Sequence, residues 1–188
     1  MTGDLGKMTR SVVLVGLMGA GKSCVGRRLA QRIGLPFIDA DTEIEAAAGC
    51  SISEIFQRFG EAAFRDGERR VVARLLDGPR CVLATGGGAF MDEQTRAVIV
   101  HKGISVWLRA DLDLLVKRTA GRDHRPLLKD GDPKAILGAL IEKRYPVYAQ
   151  ADLTVDTADR PAEVTVDRVL AALAEYFAST ASLPKALG

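Results

Sequence analysis

Short apolar runs alternate along the chain with longer segments in which apolar positions recur every three or four residues. The short runs predict β-strands, which lie at residues 12–15, 37–38, 82–84, 104–108 and 153–155. The longer segments predict helices, which lie at 21–33, 42–48, 52–77 with an interruption near Gly60, 92–101, 111–120, 133–149 and 161–177. Buried strands that alternate with helices are typical of a parallel sheet covered on both faces, so the predicted fold class is α/β.

The length of the chain favours a single domain. It has 188 residues, of which 47% are hydrophobic, enough for one sizeable core. We expect this domain over residues 10–177, after an N-terminal extension at 1–9. A tail at 178–188 consists mainly of small residues and is expected to be flexible. Residues 121–133 are charged and stiffened by prolines, which is typical of a surface loop.

Charge and cysteine usage exclude several classes of protein. A net charge of +2 gives neither a nucleic-acid-binding stripe nor a polybasic membrane anchor. The apolar run at 11–17 is too short to span a membrane, and residues 1–10 lack the features of a signal peptide. Three distant cysteines, Cys24, Cys50 and Cys81, suggest neither a disulfide framework nor a zinc site. We therefore expect a cytoplasmic protein with no nucleic-acid or membrane partner.

A glycine-rich segment connects the first predicted strand to the first helix. Residues 16–23 read Gly-Leu-Met-Gly-Ala-Gly-Lys-Ser, which matches the phosphate-loop pattern G-x-x-x-x-G-K-[ST]. Such a loop aims successive backbone N–H groups at an anion. Lys22 is then expected to reach the β- and γ-phosphates, and the Ser23 hydroxyl to bind Mg²⁺. The segment predicts a nucleoside-triphosphate site. The chain lacks the N-K-x-D guanine-reading segment of switch GTPases and is short for a motor.

Two carboxylates, Asp39 and Asp41, follow the second predicted strand. The carboxyl ends of parallel strands form the crevice where α/β sheets bind ligands. One carboxylate could face the water shell of magnesium while the other faces a substrate hydroxyl. The alternative is that one of them only caps the following helix.

Three further motifs carry charged or unusually small residues. Glu61-x-x-Phe64-Arg65-x-x-Glu68 and Arg144-x-Pro146-x-Tyr148 could hold an anion. Alternatively, Arg65 and Glu68 form a surface ion pair, and Arg144 lies on a solvated helix face. Gly86, Gly87 and Gly88 follow the third predicted strand. They indicate backbone that lies close to a ligand, although a flexible turn is an alternative.

Taken in order over about residues 10–175, these motifs together with Arg125-Pro126-Leu127-Leu128 resemble shikimate kinases. The resemblance implies an adenylate-kinase-like P-loop kinase core with a five-stranded parallel sheet and a mobile lid at about 119–132. It also implies transfer of the ATP γ-phosphoryl group to the 3-hydroxyl of shikimate, giving shikimate 3-phosphate and ADP, on the route to chorismate and aromatic amino acids.

The resemblance also implies roles for individual residues. The ATP site would comprise Gly19, Ala20, Gly21, Lys22, Ser23, Cys24, Arg118, Arg125 and Arg160. The shikimate site would comprise Asp41, Arg65, Glu68, Gly86, Gly87, Gly88 and Arg144. One Mg²⁺ per subunit would be held by Ser23 and, through water, by Asp39. The catalytic residues would be Lys22, Asp41 and Arg125.

Within these sites, Arg65 and Arg144 would bind the ring carboxylate, and Glu68 would orient Arg65. Asp41 needs no unusual pKa, because an ordinary carboxylate is ionised at neutral pH and suffices to align the hydroxyl. Cys24 departs from the family, since many members have Thr at this position, and the loop that carries Arg160 varies in length. We expect a monomer.

Two other classes of function remain open. A related small-molecule kinase would phosphorylate gluconate or a nucleoside monophosphate. The triple glycine beside two arginines argues against a nucleotide acceptor, which needs contacts for a base. A non-catalytic nucleotide-binding module would need only the phosphate loop.

Overall fold

Parallel strands and helices alternate along the chain in the computed structural model, which describes residues 8–120 and 131–181. The strands are β1 (Ser11–Val15), β2 (Phe37–Asp39), β3 (Val82–Ala84), β4 (Gly103–Arg109) and β5 (Leu153–Asp156). The helices are α1 (Lys22–Ile33), α2 (Ala40–Ala48), α3 (Ile52–Asp77), α4 (Glu93–Lys102), α5 (Leu112–Thr119), α6 (Pro133–Tyr148) and α7 (Ala162–Ala181). A short 3₁₀ helix follows β3 at Ala89–Met91.

The strands form one parallel sheet in the order β2-β3-β1-β4-β5. The central strand β1 has every residue buried, with Val13 paired to Leu83 of β3 and to Ser105 of β4. The chain therefore passes from one side of β1 to the other between β3 and β4. A crevice opens beyond the carboxyl ends of the strands at such a reversal, which is where the phosphate loop lies. The predicted five-stranded α/β fold is confirmed.

Local sequence signals account for most helix boundaries. Ser51 and Glu54 form a reciprocal capping box at the start of α3. Gly60 interrupts that helix with φ 79° and ψ 174°, which confirms the predicted break. Helix α2 begins at Ala40, earlier than predicted, because the Asp39 side chain caps it by accepting a hydrogen bond from the Asp41 backbone.

The ends of the chain and the lid lie largely outside the described residues. Helix α7 reaches Ala181, so it extends beyond the predicted helix end at 177 into the segment assigned to the tail. The predicted N-terminal extension is described only from Met8 onward. Most of the predicted lid, including Arg125, lies outside the described residues. Within residues 8–120 and 131–181, no helix is long and apolar enough to cross a membrane.

Candidate active site

One cavity of about 750 Å³ lies at the carboxyl ends of β1, β2 and β3. Most of the residues predicted for the two substrate sites line it together: Gly19, Gly21, Lys22, Ser23, Cys24, Asp39, Asp41, Arg65, Glu68, Gly86, Gly87, Gly88, Arg118, Arg144 and Arg160. Ala20, also in the phosphate loop, is buried, and its N–H donates to the Leu17 carbonyl. Motifs that are far apart in the sequence therefore share one cleft.

The phosphate loop has backbone angles that favour glycine. Gly16, Gly19 and Gly21 have φ values of 140°, 84° and 99°. A Cβ atom on Gly16 would lie 2.8 Å from the Leu108 carbonyl oxygen, so a side chain is excluded there. The Lys22 ammonium donates to the Gly16 and Leu17 carbonyls at 2.8 and 3.0 Å. The lysine charge is thereby held over the loop that the motif assigns to phosphate.

Asp39 links the phosphate loop to the start of α2. Its Oδ2 accepts a hydrogen bond from the Ser23 hydroxyl at 2.8 Å, while its Oδ1 accepts from the Asp41 backbone N–H at 3.2 Å. Asp39 therefore caps α2 through one carboxylate oxygen and contacts Ser23 through the other, so the two predicted roles are compatible. The two side chains present oxygen atoms only, which suits a hard cation such as Mg²⁺. Among the described residues, no group of three or more metal-ligating side chains could hold a metal by itself. Phosphate and water would have to complete the coordination.

Arg118 connects the phosphate loop to the loop after β5. Its Nη1 donates to the Gly19 carbonyl at 3.4 Å, and its Nη2 donates to the Ala158 carbonyl at 2.6 Å. Arg160, in the same loop after β5, is exposed and lines the cavity. Cys24 is exposed at the cavity, where its Sγ accepts from Arg28 Nη1 at 2.9 Å. Arg118 and Arg160, which the resemblance assigns to the ATP site, therefore both line the cleft that the phosphate loop lines.

The ion pair between Arg65 and Glu68 is not on the surface. Glu68 is 1% exposed, and its Oε2 accepts from Arg65 Nη1 at 2.6 Å. The other oxygen, Oε1, is buried without a hydrogen-bond partner. Burial raises the pKa of Glu68, and the Arg65 charge opposes that shift. Glu68 lines the cavity, and its unpaired oxygen lies against the glycine loop, 3.0 Å from the position that a Cβ atom on Gly86 would take.

The pKa of Asp41 differs from the ordinary carboxylate value that would suffice to align the hydroxyl. Burial raises the pKa of this carboxyl, and the neighbouring Asp39 carboxylate raises it further, while Lys22 acts in the opposite direction. The sequence pattern showed that the two carboxylates are close, but burial of Asp41 depends on how α2 packs. In the folded protein, Asp41 is a stronger base than a solvated aspartate.

Each glycine of the loop after β3 makes room for a charged group. A Cβ atom on Gly86 would lie 2.8 Å from Asp41 Oδ1 and 3.0 Å from Glu68 Oε1. On Gly87 it would lie 3.3 Å from Arg144 Nη1, and on Gly88 it would lie 2.3 Å from Arg65 Nη2. A flexible turn alone does not explain such contacts. The triple glycine allows two acids and two arginines to approach the backbone.

Arg144 and Tyr148 meet the same loop from α6. Arg144 Nη1 donates to the Gly87 carbonyl at 3.0 Å, and the Tyr148 hydroxyl donates to the same oxygen. Arg144 is therefore not on a solvated face. Tyr148 closes the Arg144-x-Pro146-x-Tyr148 motif, but no role of its own was predicted for it. The available signal was its spacing of four residues from Arg144, which places both on one helix face. Phe56, also at the cavity, carried no distinguishing signal.

Comparison with known proteins gives a consistent result. The family model described as shikimate kinase matches residues 18–174. A shikimate kinase of Paramagnetospirillum magneticum is 66% identical over 171 residues, which cover 91% of this chain and 88% of that protein. A shikimate kinase of Caulobacter vibrioides is 59% identical over 169 residues, which cover 90% of this chain and 84% of that protein.

Solved structures extend this result to the fold. The shikimate kinase from Acinetobacter baumannii in complex with shikimate matches with a TM-score of 0.85 and 37% identity, covering 89% of this chain and 94% of that chain. A gluconokinase from Sinorhizobium meliloti matches with a TM-score of 0.64 and 22% identity, covering 90% of this chain and 97% of that chain. The second match shows a shared fold alone.

Proposed function

The chain belongs to the shikimate kinase family, and from that premise we propose that its cleft transfers the γ-phosphoryl group of ATP to the 3-hydroxyl of shikimate. The products are shikimate 3-phosphate and ADP, and the phosphorylated product serves the synthesis of chorismate and aromatic amino acids. The observation that carries the proposal is the single cavity lined both by the phosphate loop and by the group of Asp41, Arg65, Glu68, Arg144 and the triple glycine.

The acceptor is oriented by polar contacts, because shikimate is a small anion with several hydroxyls. Arg65 and Arg144 approach the glycine loop at Gly88 and Gly87, and their guanidinium groups bind the ring carboxylate between them. Hydrogen bonds of this charge-assisted kind contribute roughly 1.5–3 kcal/mol each. Backbone N–H groups around Gly87 complete the site. Glu68 holds Arg65 through the 2.6 Å ion pair.

Asp41 acts on the acceptor hydroxyl. Its raised pKa makes it a better proton acceptor than a solvated aspartate. The carboxylate accepts the hydrogen bond of the 3-hydroxyl, aligns that oxygen with the γ-phosphorus and takes the proton as the phosphoryl group transfers.

Positive charge stabilises the transferring phosphoryl group. Lys22 exchanges its contacts with the Gly16 and Leu17 carbonyls for phosphate oxygens. The Ser23 hydroxyl and, through water, the Asp39 carboxylate would hold one Mg²⁺, which when bound neutralises charge on the β- and γ-phosphates. Arg118 and Arg160 contact the adenosine part of ATP. Arg125, which lies outside the described residues, would add a further positive charge at the phosphates.

Release of ADP with different acceptors tests this function. We expect release to require shikimate, to stop with a magnesium chelator and to resume with added Mg²⁺. Mass spectrometry should detect shikimate 3-phosphate. Release with gluconate or a nucleoside monophosphate, but not with shikimate, would favour a related kinase. Nucleotide binding with no release of ADP for any acceptor would favour a non-catalytic module.

We also propose that the enzyme is a monomer in the cytoplasm. Three cysteines without a disulfide, Cys24, Cys50 and Cys81, support a reducing compartment. Light scattering on the purified protein should give a mass near 20.1 kDa. A mass near twice that value would contradict the proposal of a monomer.

A further inference from the structure

Tyr148 lies at the end of α6 with its side chain fully buried. Its hydroxyl donates to the Gly87 carbonyl, the same oxygen that accepts from Arg144 Nη1 at 3.0 Å. A carbonyl oxygen has two lone pairs, so these two donors use its full capacity. The Gly87 carbonyl is therefore a shared anchor for one arginine of the acceptor site and for one buried tyrosine.

The peptide that carries this oxygen also determines the shape of the acceptor site. The Gly87 carbonyl and the Gly88 N–H belong to one planar unit and point in opposite directions. Fixing the carbonyl toward α6 therefore fixes the direction of the Gly88 N–H. The Arg65 guanidinium occupies the space that a Cβ atom on Gly88 would take. The orientation of this one peptide therefore affects the relative positions of Arg65, Arg144 and the Gly88 N–H.

The Gly86 and Gly88 carbonyls accept hydrogen bonds from the Ala89 and Met91 backbone, whereas the Gly87 carbonyl accepts from the two donors of α6. Three successive glycines have no side chains to restrict their backbone, so their own preferences leave many orientations open. The Tyr148 side chain is held by aromatic packing, because its ring centroid lies 6.0 Å from that of Trp107 and 6.4 Å from that of Phe90. Burial raises the pKa of Tyr148 to about 12, so the hydroxyl keeps its proton throughout the physiological range.

We propose that Tyr148 is a positioning residue for the acceptor: its hydroxyl fixes the Gly87–Gly88 peptide and, through the shared carbonyl oxygen, the guanidinium of Arg144. The inference rests on the proposed function of Arg144 as a ligand of the shikimate carboxylate. Tyr148 acts through the loop and does not itself contact the substrate.

The test is Tyr148→Phe, which removes the hydroxyl and keeps the ring. The matched control is Tyr145→Phe on the same helix, because Tyr145 lies beside Trp107 and donates its hydroxyl to the Ala110 carbonyl, outside the glycine loop. We expect the Tyr148 variant to raise the KM for shikimate roughly 3- to 10-fold, the effect of one lost hydrogen bond. The KM for ATP should stay within twofold. The Tyr145 variant should keep both KM values within twofold.

A double-mutant cycle separates positioning from general packing. In the Arg144→Lys background the planar guanidinium is gone, so adding Tyr148→Phe should raise the shikimate KM less than twofold further. A full additional rise would overturn the route through Arg144. An unchanged shikimate KM in Tyr148→Phe, or an equal rise in Tyr145→Phe, would overturn the inference altogether.

Ligand-induced thermal shifts provide a readout that does not need turnover. In Tyr148→Phe, shikimate should raise the Tm less than it does in the wild type, while a non-hydrolysable ATP analogue should raise it equally. Equal shifts with shikimate in both proteins would contradict the proposal even if the variant were less stable. Absence of shikimate-dependent ADP release in the wild type would instead refute the proposed function itself.

Discussion

Replacing Gly88 by alanine tests whether Arg65 needs the space that the missing side chain leaves in the glycine loop. Gly88 has φ −98° and ψ −12°, angles that alanine adopts without backbone strain. The effect of the substitution is therefore steric. The new Cβ would lie 2.3 Å from Arg65 Nη2 and 2.6 Å from Nη1, so the guanidinium has to move.

The size of the effect follows from that distance. Ordinary van der Waals contact begins at 3.4 Å, so Nη2 must retreat by about 1.1 Å. The same displacement stretches the 2.6 Å bond from Arg65 to Glu68 and moves the donors that face the shikimate carboxylate. Loss of a charge-assisted hydrogen bond costs about 1.5–3 kcal/mol, which is roughly a 10- to 150-fold loss in kcat/KM for shikimate. The KM for ATP should not change.

The matched control is Gly138→Ala in α6. Among the described residues, a Cβ there would have only Leu112 Cδ2 within 4 Å, at 3.9 Å, so it displaces none of them. Alanine in a helix is favoured over glycine, so this variant should be as active as the wild type and more stable by about 0.5–1 kcal/mol.

Two measurements decide the question. The first is steady-state kinetics in which each substrate is varied in turn, and the second is thermal unfolding. We expect the Tm of Gly88→Ala to stay within a few degrees of the wild type, because the displaced group is the end of a flexible side chain. A shikimate kcat/KM within threefold of the wild type would refute the placement of Arg65 in the carboxylate site. An equal loss with respect to ATP would refute a steric effect confined to the acceptor.

Four further predictions concern the charged groups of the cleft. Lys22→Met should fold normally but keep less than a tenth of wild-type activity, a deficit above about 1.4 kcal/mol in the transition state; higher activity would exclude Lys22 as a phosphate ligand. Asp41→Asn should depress kcat with ATP binding nearly unchanged, whereas Asp39→Asn should shift the Mg²⁺ dependence; identical phenotypes would contradict the division of roles. Arg144→Lys should lower kcat/KM for shikimate roughly 10- to 150-fold, and a shikimate analogue with a neutral alcohol in place of the carboxylate should lose less in this variant than in the wild type. The raised pKa of Asp41 means that its contribution to stability is present at acid pH and lost as the pH rises through that pKa. Asp41→Asn should therefore raise the Tm most at neutral pH, with the gain shrinking on acidification, and a Tm difference independent of pH would contradict the pKa shift.

The sequence by itself determined the features that depend on contiguous residues. The phosphate loop follows from glycines at 16, 19 and 21, because their backbone angles are accessible to glycine and rarely to other residues. Capping at Ser51 and the break at Gly60 follow in the same way from neighbouring residues. The alternation of apolar strands with helices was sufficient to predict the parallel sheet, since a strand buried on both faces is apolar throughout.

Only the tertiary structure decided which distant groups meet and what their surroundings do to them. Arg144 and Tyr148 share the Gly87 carbonyl across separations of 57 and 61 residues, and no local pattern encodes that contact. The raised pKa values of Asp41 and Glu68 arise chiefly from burial, which the packing of α2 and α3 sets. Residue types near one another in sequence predict candidate chemistry, but desolvation and long-range hydrogen bonds exist only once the helices have packed onto the sheet.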